Sequence, residues 1–246
     1  MKSLLRHVVL AMAAAVPLTA AAAIPDPVQL TTIVEAARRG APAASAIATL
    51  TRKRTTYALR GSDFGKLRNA GISNEVLDHL QQSFVNDVDL LVKYWVGGES
   101  LGKCANCYPQ QIRIDESGTI SQGPPPLRAL PGRPLGMPDW FRPIWTAYKP
   151  AGLTVEELRQ MVVDHKSEAD MLAALEHRPL VDLIGVSGGV HLGRYLKATV
   201  SGSQLADLRA AGMPDAVLDK LQTAVLATYV EHLRLRYMGL GKGSKN

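Results

Sequence analysis

Apolar residues recur at three- and four-residue spacing along two long stretches of the chain. In the first the stripe is Val76, Leu77, Leu80, Phe84, Val88, Leu91 and Trp95, ending at Gly97-Gly98. In the second it is Val217, Leu218, Leu221, Val225, Tyr229 and Leu233. This period belongs to one face of an α-helix, so two long helices are expected. At 1.5 Å per residue, a helix of about 22 residues is roughly 33 Å long, and the pair should form the spine of the molecule. Shorter stretches follow the same logic. Asp26-Pro27 offers a cap and a first-turn proline for a helix over Val28 to Arg39, closed by Gly40, and Ala43 to Arg52 follows as a second. Thr154-Val155-Glu156-Glu157 is a capping box opening a helix through Val163, and Ser167-Glu168-Ala169-Asp170 is a further start. The expected fold class is mainly α.

The two long stripes share the residues that lead into them. Gly61 to Gln81 and Gly202 to Gln222 align without a gap, and 11 of the 21 positions are identical. Chance at ordinary composition predicts about one or two, so the unit is duplicated. Each copy reads as a short helix, a turn and a long helix. Ser62 and Ser203 are the expected N-caps of the short helices, whose buried faces carry Phe64 and Leu67 or Leu205 and Leu208. Gly71 and Gly212 stand where a helix end calls for a left-handed residue. Ser73 restarts the first copy; Pro214 and Asp215 restart the second. Leu67, Leu80, Leu208 and Leu221 should be buried. Lys66 and Asp207, which differ in charge at one repeat position, should lie on solvated faces.

Leu59, Asp63, Leu67, Ala70, Gly71, Ile72, Ser73, Val76, Leu77 and Leu80 carry a recognisable pattern. A capped helix ends in Ala-Gly-[Val/Ile]-Ser and leads into a Val-Leu-x-x-Leu helix. The stretch resembles a short helical repeat common in exported bacterial proteins of unassigned function. The two copies lie around residues 52–81 and 198–222, under half of the chain, and the second departs from the pattern at Gln204 and Pro214. The resemblance implies a structural or interaction module. It brings no catalytic residues with it.

Between the copies the composition changes. Gly97 to Gly152 holds both cysteines and a possible hairpin, with Ile112-Arg113-Ile114, a turn at Glu116-Ser117-Gly118, and Ile120. The Pro-rich run Pro124 to Pro138 and the aromatic cluster Trp140, Phe141, Trp145 and Tyr148 follow. Such a stretch is a linker or a functional loop. The expected organisation is a signal peptide over 1–23, an N-terminal helical half over 24–97 and a Cys- and Pro-rich connecting segment over 98–152. A C-terminal helical half over 153–238 and a flexible tail over 239–246 complete it.

Export rests on the N-terminus. Lys2 and Arg6 precede the apolar run Val8 to Val16, which is too short to span a bilayer, and Ala20 to Ala23 offers a small-residue cleavage site before Ile24. Cleavage there leaves about 220 residues, enough for one large or two small cores. Losing Lys2 and Arg6 lowers the net charge from +6 to +4. So mild and scattered an excess suits anionic envelope polymers and is not the footprint of a nucleic-acid binder. No later run reaches 18 apolar residues, so no transmembrane segment is expected in the mature chain, and its location should be periplasmic or secreted.

The candidate chemistry is thin. Cys104-Ala105-Asn106-Cys107 is followed by Tyr108, where haem attachment needs His. The pair lacks the strand-to-helix setting of a thioredoxin-like site. None of His79, His165, His177, His191 and His232 forms an H-x₃₋₅-H pair to complete a zinc site. A structural disulfide between Cys104 and Cys107 is the expectation, with a thiol-disulfide activity as an alternative. Gly185-Val186-Ser187-Gly188-Gly189 matches the G-x-S-x-G of an exported serine hydrolase, with Ser187 as nucleophile and His232 downstream. That fold needs several parallel strands upstream, where helices are expected instead; a Gly-rich loop is the simpler reading. No Gly-Lys-Ser/Thr follows to make it a phosphate cradle.

Leu67 to Leu80 is also similar to a helix-hairpin-helix, but Ser73 and Pro214 replace its second glycine, and proline has no amide to offer a DNA phosphate. Glu156-Glu157 and Asp115-Glu116 read as a capping box and a solvated turn. The aromatic cluster near Trp140 is either a ligand platform or a loop buried against the helices. The expected function is therefore a structural or protein-interaction role toward an unknown protein or envelope component, with no cofactor, metal or nucleic acid.

Overall fold

A computed structural model describes residues 26–97, 109–122, 152–178, 180, 184–186, 196–198 and 200–240. Within these the protein is mainly helical: α1 (Leu30–Arg38), α2 (Ala43–Lys53), α3 (Gly61–Asn69), α4 (Asn74–Gly97), α5 (Val155–Val163), α6 (Glu168–His177), α7 (Gly202–Ala210) and α8 (Asp215–Leu240). The two stripes became the two longest helices, α4 and α8. Three short strands form one sheet, with β1 (Tyr57–Ala58) parallel to β2 (Gln110–Ile114) and β2 antiparallel to β3 (Ile120–Gln122). A separate antiparallel ribbon pairs β4 (Ile184–Val186) with β5 (Leu196–Ala198).

The local signals explain most boundaries. Thr154 and Ser167 each accept the amide of the residue three positions on, Glu157 and Asp170, whose side chains return the bond. Gly71 and Gly212 close the short helices at φ +99° and +98°, where a side chain is disfavoured. The first helix, however, starts at Leu30 and not after Pro27. Val28 is held elsewhere: its N–H donates to Thr55 Oγ1 (3.0 Å), and its carbonyl accepts from Tyr57 Oη (2.5 Å). Burial pushes that phenol's pKa up. The hairpin at Asp115 to Thr119 forms as expected, with the Asp115 carboxylate taking the amides of Ser117 and Thr119, both at 2.9 Å. Its first strand also pairs with β1, where the Gln110 amide donates to Thr56 O (2.8 Å). That parallel pairing was not legible in the sequence.

At the centre, α3 packs on α7 and α4 on α8, while α3 also meets α8 and α4 meets α7. Phe64, Leu67, Leu77, Leu80, Leu205, Leu208, Val217, Leu218 and Leu221 are buried between them. The α1–α2 hairpin covers α4 from one side, and α6 lies against α8. The buried leucines expected from the repeat, Leu67, Leu80, Leu208 and Leu221, are all in this core.

Candidate interaction site: the face between the repeats

The contacts that join the two repeat copies recur with the partners exchanged. Each short helix begins with a glycine that the other copy's backbone approaches closely. A Cβ at Gly61 would collide with the carbonyl of Leu218, and one at Gly202 with the carbonyl of Leu77, the same repeat position. Only glycine lets the backbones approach so closely. Beside each glycine, an amide at the helix start finds its acceptor on the other copy. Ser62 N–H donates to Asp219 Oδ1 (2.9 Å), and Ser203 N–H donates to Asp78 Oδ1 (2.7 Å). A carboxylate there satisfies an orphan amide and suits the positive end of the helix.

This corrects the expected caps. Ser62 and Ser203 lie inside the first turn, and Ser62 Oγ is buried without a hydrogen-bond partner. The capping positions are Arg60 and Ser201. Ser201 Oγ accepts from the Gln204 amide (3.2 Å), whereas in the first copy the Asp63 carboxylate accepts from Arg60 N–H (2.9 Å) and from its guanidinium (2.9 Å). Burial raises the Asp63 pKa, with the bonds from Arg60 pulling the other way.

Between the long helices, two glutamines clasp each other. Gln81 Nε2 donates to Gln222 Oε1 (3.0 Å), and Gln222 Nε2 donates to Gln81 Oε1 (2.9 Å). Their remaining donor capacity reaches Val200 O and Leu59 O, both at 3.4 Å. Leu59 and Val200 are again one repeat position. Both amides are buried and satisfied, which fixes the register of α4 against α8. Sequence reasoning noted the identity of Gln81 and Gln222 without using it. A polar residue repeated one place after a core leucine was the available signal.

The charged positions break this correspondence. Arg68 of the first copy reaches Asp207 (2.7 Å) and the Ser203 carbonyl (2.6 Å). On the opposite side, Arg209 lies over Gly65 beside Lys66, two cations together. Two carboxylates hold them. Lys66 Nζ is 2.8 Å from Glu116 and 3.2 Å from Asp215; Arg209 is 3.0 Å from Glu116 and 2.7 Å from Asp215. Lys66 was expected on a solvated face, but its side chain is only 6 % exposed, because the hairpin turn that carries Glu116 covers it. Burial lowers the Lys66 pKa, and the bonds to Glu116 and Asp215 outweigh that and raise it. Asp207, at 65 % side-chain exposure, is on the solvated face as expected. Glu116 is exposed too, yet it ties the β2–β3 turn to both repeats.

A second polar contact lies away from this face. Asp87 on α4 accepts a hydrogen bond from Thr56 Oγ1 at the start of β1. Burial pushes its pKa from 3.8 up to about 7, against the pull of that bond.

The other sequence-predicted sites are mostly outside the described residues. Residues 1–23, Cys104, Cys107, the Trp140 to Tyr148 cluster and Ser187 all lie there. The strand that runs up to Ser187, Ile184–Val186, belongs to the two-stranded antiparallel ribbon. Gly185 and Val186 were expected in a Gly-rich loop. His232 falls on α8. Among the described residues, no group of three or more His, Cys, Asp or Glu side chains is placed to hold a metal ion. No helix among them is long and apolar enough to cross a membrane. The α8 helix runs to Leu240, two residues into the expected tail. The chain matches no protein family, no curated protein and no solved structure.

Proposed function

We propose that this is an exported structural or protein-interaction protein that works through pairing of its two helical repeats, with an unknown protein or an envelope component as partner. The observation that carries the reading is the exchange of contacts between the copies. Gly61 and Gly202, Asp78 and Asp219, and Gln81 and Gln222 each do for the other copy what their counterpart does for them. Residues used reciprocally across this buried face make the two repeats one self-complementary packing unit, which supports a structural or interaction module. The export part draws on the N-terminal charge, apolar run and Ala20 to Ala23.

Fractionation and crosslinking in cells test it. Intact mass should place a chain beginning at or next to Ile24 in the periplasmic extract. A photo-crosslinking residue at Val163, an apolar side chain left 62 % exposed, should give adducts with envelope molecules. A full-length cytoplasmic product, or an exported chain that yields no adduct from Val163 or from Asp207, would count against the reading.

A further inference from the structure

We infer that the first repeat's face is an address for a C-terminal-type copy, and that between molecules it fits the C-terminal repeat of a second copy of this chain, exchanged reciprocally. The inference rests on the repeat-pairing reading above and adds a second copy of the chain as a partner for the paired face. The residues that set the close approach are the same in both copies, so they favour any pairing of repeats alike. Among the positions where the copies differ in charge, Lys66 against Asp207 and Asn74 against Asp215 are the ones where a side chain carries an ion pair between the repeats.

These differences sort the possible pairs. With one copy of each kind, Arg68 meets Asp207, and Lys66 and Arg209 share Asp215 and Glu116. Two first copies would set Arg68 against Lys66 twice, with Asn74 in place of Asp215. Like charges so placed disfavour the wrong partner. Two C-terminal copies would satisfy Arg209 with Asp207, but they would strand two first copies that have no Asp207 or Asp215 to face. The mixed pair is satisfied whichever chain supplies each half, since every one of these contacts to Asp207 or Asp215 from Lys66 or Arg68 runs between repeats. Reciprocal exchange therefore makes the same interface twice.

Two full-length variants test this. Asp207→Lys sets two cations face to face, and Arg68→Asp sets two carboxylates face to face. Refolded alone, each should melt about 2–4 °C below wild type, the shift that roughly 1 kcal/mol produces at this size. In a mixture, opposite charges meet again only if each first repeat takes the second repeat of the other variant. Refolded together at high concentration, the pair should give a mixed dimer by native mass spectrometry, several-fold above the dimer from either alone. The doubly substituted chain, Arg68→Asp with Asp207→Lys, restores an opposite-charge pair but not the Arg68 bond to the Ser203 carbonyl, and should melt above both single variants as a monomer. Single variants that melt like wild type, a double variant as low as the singles, or a mixture with no extra dimer would each overturn the inference. Export and envelope adducts are read on the wild-type chain in cells, so the two proposals can fail separately.

Discussion

Asp87 is held by one hydrogen bond from Thr56 in a site where burial favours its neutral form, with a pKa of about 7 against the usual 3.8. Because the folded-state value is raised, its contribution to stability is complete below about pH 4 and is lost as pH rises through about 7. A shift of this size corresponds to a few kcal/mol, on the order of 1.4 kcal/mol per pK unit. Asp87→Asn keeps the acceptor and removes the titration. Wild type should therefore lose more melting temperature between pH 5 and pH 8.5 than the variant, and equal losses would reject the assignment. Lys66 and Asp207 make a second test at this scale. Lys66→Ala removes a buried ammonium and leaves two carboxylates to Arg209 alone, and should cost about 1–3 kcal/mol. Asp207→Ala removes one end of an exposed pair and should cost about 0–1 kcal/mol. Urea unfolding of the two variants beside wild type gives the comparison, and equal costs would contradict the buried placement of Lys66.

The short helices α3 and α7 are positioned by what their first residues lack. At Gly61 and Gly202 the obstacle to a side chain is the carbonyl of a facing long helix, which cannot move aside, so Gly61→Ala and Gly202→Ala should each cost about 1–3 kcal/mol or more. At Gly65 the obstacle is the stem of Arg209, a side chain and not backbone, so Gly65→Ala should cost less, at the expense of the Arg209 contacts to Asp215 and Glu116. Calorimetry on the three variants checks the order. These same helices show how much the sequence made legible. The stripe of Val76, Leu77 and Leu80, the left-handed Gly71 and Gly212, and the capping boxes at Thr154 and Ser167 act within one element, and periodicity reads them directly. The cap of α3 came from Asp63 and Asp219, and the burial of Lys66 from a turn some fifty residues on in the chain. The strand over Tyr57–Ala58 is too short to alternate and exists because Gln110 and Gln111 lie beside it. Such features depend on which elements meet, and local pattern is silent about that. The paired face itself was half legible: its residues stood out as the identical positions of the repeat, but that they face one another did not.

At the scale of the whole molecule, the interlocking of the copies decides how the protein comes apart. If each repeat were a unit with its own core, damage to one would leave the other standing. Here α3 packs on α7 and α4 on α8, and the Gln81–Gln222 clasp spans both long helices, so neither copy buries its own face alone. Unfolding should then be cooperative across the repeats. Leu221→Ala leaves a cavity in the C-terminal copy and should cost about 2–5 kcal/mol. That loss should appear in both copies: hydrogen exchange of the α3 and α4 amides should quicken as much as exchange in α7 and α8, and Leu80→Ala should do the reverse to the same extent. Amides of α1, which meets the repeats chiefly through α2, should change less if that hairpin also opens on its own. Exchange that quickens only around the substituted leucine would mean two independent cores, and the exchanged contacts would then be a surface between units, not the centre of one.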